Sequence, residues 1–225
     1  MSKRLKIGCS ALDELLGGGV EAGAVTEFYG EGGAGKTNIC LQLSRNCVQE
    51  GKKPIFIDTE GVSFERLEQI CGKDYSKINS EILFFSPYSL LDQEQMVNEA
   101  IKILENTKKI GLIVLDSGTV FYRMSLGSDD EQLHRQNLSR QIILLLANAR
   151  KFDLPVVITN QVFQDIENDT ISPIGGHILY HNAKAIIRLD KVTDNVRSAT
   201  LIKHRSLAEG LHCEFKITNN GIEDL

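Results

Sequence analysis

The sequence predicts an α/β fold: a mainly parallel sheet with helices on both faces and a β-hairpin extension towards its C-terminal end. Three observations predict it. Short β-branched or aromatic runs alternate with longer amphipathic ones through most of the chain. The run Leu112-Ile113-Val114-Leu115 is apolar without alternation, as suits a strand covered on both faces. Beyond residue 184 the strand-like runs follow one another closely, which favours hairpins over helices.

The first strand is expected over residues 24–29, and it runs into Gly30-Glu31-Gly32-Gly33-Ala34-Gly35-Lys36-Thr37. This is the GxxxxGK[ST] spacing of a phosphate-binding loop. Glycines let backbone N–H groups converge on phosphate oxygens, the lysine meets the terminal phosphates and the threonine hydroxyl holds Mg²⁺. A helix starting here, with Asn38 in its first turn, adds its positive end to the same site. The reading is a site for ATP with Mg²⁺; a plain Gly-rich turn is the alternative.

The second strand, 54–58, leads into Ile57-Asp58-Thr59-Glu60-Gly61, where Glu60 is the candidate to orient or deprotonate water. A solvated loop carboxylate is the competing view. A third strand is expected over 82–86, and the fourth, 112–116, ends on Asp116, where a second acid can hold the hydrated metal opposite Thr37. An aspartate capping a strand is the alternative there. The clearest helix covers 131–152, with Leu133, Leu138, Ile142, Leu145 and Ala149 recurring at three- to five-residue steps between Arg135, Arg140 and Arg150. It stops before Asp153-Leu154-Pro155. The fifth strand, 155–159, brings Thr159-Asn160-Gln161 to the same sheet edge. Gln161 there either senses the terminal phosphate or simply caps the strand. Runs at 184–189, 199–204 and 214–218 complete the sheet.

Composition narrows the class. The 225 residues show no compositional break, so one domain over 1–225 is expected. With 25 Lys and Arg against 30 Asp and Glu the formal charge is -5, which excludes a global basic field. Any nucleic-acid contact must come from a local patch. Cys9, Cys40, Cys47, Cys71 and Cys213 lack metal-ligand pairing and read as buried reduced thiols. His134 and His212 have no companions at metal-ligand spacing either. The most apolar run, 142–147, is far below the roughly 18 residues of a membrane span. A soluble intracellular protein is expected.

Several ordered segments carry a resemblance. They are Ser10-Ala11-Leu12-Asp13-Glu14-Leu15-Leu16-Gly17-Gly18-Gly19 before the phosphate loop, Asp58-Thr59-Glu60-Gly61 with Glu65-Arg66-Leu67, Leu115-Asp116-Ser117, Thr159-Asn160-Gln161-Val162 and Pro173-Ile174-Gly175-Gly176. Together they resemble the RecA-like recombinase family, and within it the archaeal and eukaryotic strand-exchange proteins and their paralogues. The resemblance implies a RecA-like P-loop ATPase core with Glu60 activating water and Gln161 sensing the γ-phosphate. It implies that Arg66 packs on the adenine, as guanidinium stacking allows, and that His181 touches nucleotide state across a subunit boundary. Residues 121–130 and 163–176 become the two DNA-facing loops, with Arg123 on the DNA backbone.

Departures from the family pattern shape the functional expectation. The N-terminal helical DNA-binding domain and the Phe-x-x-Ala polymerisation tether of strand-exchange members are not found ahead of this core. The second loop carries Asp165, Glu167 and Asp169, which repel phosphate. Core-only archaeal paralogues share a Lys-His-Arg run, here Lys203-His204-Arg205. That run reads as a DNA phosphate patch, as cations entering a neighbour's ATP site, or as the solvated face of a strand, with Lys203 and Arg205 on one side. The expected protein is a weakly hydrolysing regulatory paralogue without strand exchange, acting on DNA with recombinase or other repair partners. It is expected to be cytoplasmic, nucleoid-associated and off the membrane, with self-association possible but untethered.

Overall fold

The computed structural model describes residues 3–165 and 170–225. In chain order the elements are β1 (Arg4–Leu5), α1 (Ser10–Leu15), β2 (Val20–Glu21), β3 (Val25–Gly30), α2 (Lys36–Gln49), β4 (Lys53–Asp58), α3 (Phe64–Cys71), α4 (Tyr75–Glu81), β5 (Leu83–Phe85), α5 (Leu90–Asn106) and β6 (Ile110–Asp116). There follow α6 (Val120–Arg123), α7 (Glu131–Phe152), β7 (Val156–Asn160), β8 (Val162–Asp165), β9 (Thr170–Pro173), α8 (Gly176–Asn182), β10 (Ala185–Lys191), β11 (Val196–His204), β12 (His212–Thr218) and β13 (Gly221–Glu223).

Nine strands form one sheet in the order β13-β12-β11-β10-β3-β7-β6-β4-β5. The six from β10 to β5 are parallel to one another, and β11, β12 and β13 continue antiparallel. This is the predicted α/β, RecA-like architecture with its hairpin extension. Alternation within β6 shows why its sequence has none: Leu112 and Val114 enter the core under α1, α2, α3 and α4, while Ile113 and Leu115 enter the core under α5, α7 and α8. Both faces are buried, so every position is apolar.

Helix α7 has the bounds that its periodicity predicts, and Arg150 and Lys151 in its last turn complement the helix dipole. The sequence-predicted strands all form, shifted at their ends. The short elements β1, β2 and β13, each two or three residues long, escape periodicity because they are too brief to show any. The exposed edge of β13 is closed by Gln42 of α2, whose Oε1 accepts from the Ile222 amide at 2.7 Å and whose Nε2 donates to the Ile222 carbonyl at 2.9 Å.

The first predicted DNA-facing loop contains the single-turn α6. The second contains strands β8 and β9, paired antiparallel. Glu167 and Asp169 of that loop lie outside the described residues. All five cysteines are free; Cys9, Cys40, Cys47 and Cys71 are buried and Cys213 is half-buried. Among the described residues no helix is long and apolar enough to cross a membrane.

Candidate nucleotide-binding site

The parallel pairing places the C-terminal ends of β3, β4, β6 and β7 along one sheet edge, with Asp58 opposite Asp116 and Tyr29 opposite Asn160. Ligands of such sheets bind outside these strand ends. Here Gly30, Glu31, Gly32, Lys36, Glu60, Arg123, Gln161 and Val162 line a cavity of about 370 Å³.

The phosphate loop is shaped by close approaches as well as by its motif. A Cβ on Gly30 would meet the Leu189 carbonyl of β10 at 2.2 Å, so only glycine fits where the strand turns into the loop. Gly35 precedes α2 with a φ of 101°, and Gly33 has its carbonyl held by Arg197 Nε at 3.0 Å. Ala34 is fully buried against the core. Lys36 begins α2; its ammonium donates to the carbonyls of Gly30 at 2.7 Å and Glu31 at 2.9 Å, and burial lowers its pKa.

Asp116 is 2% exposed, and burial pushes its carboxyl up to about 6 against the opposing pull of hydrogen bonds from Thr159 and Thr37. The Thr159 hydroxyl donates to Asp116 Oδ1. A hydroxyl and a carboxylate side by side at the phosphate cavity are oxygen donors of the kind Mg²⁺ takes, together with phosphate oxygens and water. Loop N–H groups, Lys36, Thr37 and Asp116 therefore fit Mg-ATP.

Glu60 is positioned by an aspartate-built turn. Asp58 Oδ1 accepts from the amides of Glu60 at 3.2 Å and Gly61 at 2.9 Å, and Oδ2 from Val62 at 2.7 Å. Thr59 locks this turn to the end of β6: its hydroxyl donates to the Ser117 carbonyl at 2.9 Å and accepts from the Ser117 amide at 2.8 Å. Opposite stands Gln161. Its Nε2 donates to Glu60 Oε1 at 2.6 Å, and its Oε1 accepts from Arg123 Nη1 at 2.9 Å.

Arg66 lies in the first turn of α3, capped by Ser63, whose Oγ accepts the Arg66 amide at 3.1 Å. Its guanidinium makes four hydrogen bonds: Nε donates to Asn38 Oδ1 at 2.5 Å, Nη1 to Gln69 Oε1 at 2.9 Å and the Asn219 carbonyl at 3.2 Å, and Nη2 to the Thr218 carbonyl at 2.7 Å. A guanidinium bonded around its rim offers a flat face for stacking. The Asn38 side-chain oxygen thus ties α2 to Arg66.

His181 does not enter this cavity. It is exposed on α8, its ring 6.3 Å from that of His177, in a separate groove with Arg135.

The Lys203-His204-Arg205 run is dispersed. Strand β11 ends at His204, so Arg205 lies beyond it and strand alternation does not set the side it takes. Lys203 donates to the Tyr180 carbonyl and lies 4.7 Å from that residue's ring centroid, whereas Arg205 pairs with buried Glu21. His204 is 9% exposed, and its Nδ1 accepts from the amides of Ser206 and Leu207, both at 3.1 Å. It holds the turn after β11, and this takes it out of the expected DNA-binding set.

Some site residues were invisible in the sequence. Arg197 reaches the phosphate loop from a strand 164 residues away, and no local signal marks it. Thr159 was noticed only as part of a motif; its hydroxyl on Asp116 needs the pairing of neighbouring strands.

Comparison with known proteins agrees over the whole length. The Rad51 family profile matches residues 3–225. The chain is 48% identical over 223 residues to the DNA repair and recombination protein RadB of Methanococcoides burtonii, covering 99% of this chain and 98% of that protein. It is 44% identical over 220 residues to the protein of the same name from Thermoplasma acidophilum, covering 98% and 94%. A solved structure described as the RadB recombinase superposes with a TM-score of 0.82 at 34% identity, covering 98% of this chain and 99% of that one. With its RecA-like core and these full-length relatives, the chain belongs to the Rad51 family and groups within it with the RadB proteins.

Proposed function

We propose that the chain is an ATP-binding, weakly ATP-hydrolysing DNA-binding protein of homologous recombination and repair, a regulatory paralogue without strand exchange. The observation that supports this most is the double engagement of Gln161, which holds Glu60 and Arg123 together at the mouth of the phosphate cavity. Mg²⁺, when bound at Thr37 and Asp116, neutralises charge on the phosphate oxygens. Lys36 and the loop amides bind and orient the phosphates, and Arg66 offers its face to the base.

Glu60 is the group to accept a proton from water, but one of its oxygens is committed to Gln161. A Gln161 that turns towards the terminal phosphate releases Arg123, so nucleotide state biases the first DNA-facing loop. The acidic residues Asp165, Glu167 and Asp169, with Lys203 and Arg205 already engaged inside the chain, argue for thin DNA contacts and against strand exchange. The names of the relatives support a role in DNA repair and recombination, with DNA and other recombination proteins as the partners.

The test is ATPase activity with and without single-stranded DNA at low salt, alongside electron microscopy. Weak activity, little stimulation and measurable DNA binding are expected. Strong stimulation with filament growth would make the chain a strand-exchange enzyme, and no DNA binding at low salt would make it a RecA-like signalling ATPase.

A further inference from the structure

Three buried polar residues have no part in the phosphate or metal chemistry described above. Glu27 of β3 is 1% exposed, and Thr119 and Asn160 are fully buried. Asn160 is their centre. Its Nδ2 donates to Glu27 Oε1 at 2.8 Å and to the Ile174 carbonyl at 2.9 Å, and its Oδ1 accepts from the Thr119 hydroxyl at 2.5 Å. Both amide hydrogens and the amide oxygen are thus occupied, which fixes the side chain in one orientation.

Each partner sits where the cavity meets a loop. Thr119 is the residue before α6, and its carbonyl accepts the Arg123 amide at 2.9 Å. Ile174 follows β9, and its amide donates to the Gln161 carbonyl at 3.0 Å. Glu27 lies three residues before Gly30 on the strand that feeds the phosphate loop. Asn160 is the direct chain neighbour of Gln161. One buried amide therefore touches the root of the first DNA-facing loop, the end of the second, and the strand beneath the phosphates.

Packing alone does not call for a carboxyl here. An apolar residue at position 27 would avoid the desolvation cost that a buried acid carries. Burial pushes the Glu27 carboxyl up to about 7, with the Asn160 hydrogen bond and the Lys203 charge pulling the other way.

We propose that Glu27, Asn160 and Thr119 form the internal link through which occupancy of the phosphate cavity at Gln161 reaches the two flanking loops. They are positioning residues, acting through Gln161 and the loop roots and touching no ligand. The inference rests on the nucleotide-gated reading above and names its coupling element.

Backbone hydrogen exchange over residues 120–130 and 172–176, measured on the full chain with and without Mg-ATP, tests it. The wild-type protein is expected to change protection in both segments on adding nucleotide. Thr119→Val keeps the side-chain shape and removes the hydroxyl, and Glu27→Leu removes the acceptor. Both should lose about fivefold or more of that response, in the range of typical coupling energies. Glu27→Gln keeps an acceptor oxygen and should restore the response. ATP affinity should stay within about threefold of wild type in all three, since none touches the nucleotide.

A wild-type response in Thr119→Val, or no nucleotide response in the wild-type loops, overturns the link; Thr119→Val decides alone where Glu27→Leu does not fold. DNA affinity with and without Mg-ATP is the separate arm. Loops that respond while DNA affinity does not would sink the gated DNA-binding reading and leave the link standing.

Discussion

Gln161 donates from Nε2 to Glu60 Oε1 over 2.6 Å, and the same side chain accepts from Arg123 at 2.9 Å. The residue proposed to sense a phosphate is therefore bonded to the residue proposed to activate water. Glu60→Gln removes the carboxylate and keeps the loop, whose turn is built by Asp58. ATP binding is expected to persist while turnover falls about 100-fold or more, the usual scale for a lost general base. Equal turnover in a phosphate-release assay would take Glu60 out of the mechanism.

Lys36 is buried at the start of α2, with its ammonium aimed across the loop at the Gly30 and Glu31 carbonyls. Lys36→Ala deletes the one loop cation proposed to meet the terminal phosphates. Affinity for Mg-ATP should drop about 100-fold, as befits a lost charge-assisted contact. Titration with a fluorescent ATP analogue reads it directly.

Two glycines of the same loop should behave oppositely. A Cβ at Gly30 falls 2.2 Å from the Leu189 carbonyl, whereas nothing lies within 4 Å of a Cβ at Gly32. Gly30→Ala is expected to cost at least about 2 kcal/mol of stability and Gly32→Ala nearly nothing. Urea unfolding of the two variants checks the contrast; comparable losses would mean that the β10 contact is not what demands glycine.

Glu27 makes stability depend on pH. Its folded pKa of about 7 lies above the ordinary 4.5, so the protonated form is the one the fold favours. The stabilisation is complete below about 4.5 and fades as pH rises through about 7, a difference on the order of 3 kcal/mol. Glu27→Gln should abolish that component. Unfolding free energies at pH 5 and pH 8 should then lie closer together in the variant than in wild type, and an unchanged pH profile would relocate the titration elsewhere.

Salt dependence separates the candidate DNA residues. Arg123→Ala and Lys203→Ala should each weaken DNA binding and reduce the slope of log affinity against log salt by about 1, if each meets one phosphate. Arg205→Ala removes an ion-pair contact of buried Glu21, so its main effect should be a lower melting temperature. Unchanged slopes for Arg123→Ala and Lys203→Ala would assign both to solvated surface.

Much of the fold and the phosphate cavity was legible because the signals are local. A strand running into glycines and a lysine needs only neighbouring residues to be read, and α7 declares itself by buried apolar residues at three- to four-residue steps from Leu138 to Ala149. The Lys203-His204-Arg205 run is less legible for the same reason. Alternation assumes a strand that continues, and β11 ends at His204, so Arg205 lies beyond it. His204 turns in, Lys203 meets α8 and Arg205 meets β2.

The sequence by itself determined the α/β class, the phosphate loop, Asp116 at a strand end and the family resemblance, all of them contiguous patterns. Tertiary structure alone decided that Gln161 bridges Glu60 and Arg123, that Arg197 supports Gly33 and that Asn160 joins Glu27 to two loops. Those contacts join residues 14 to 164 positions apart. They depend on which strands lie side by side and in what register, and no window of neighbouring residues contains that information.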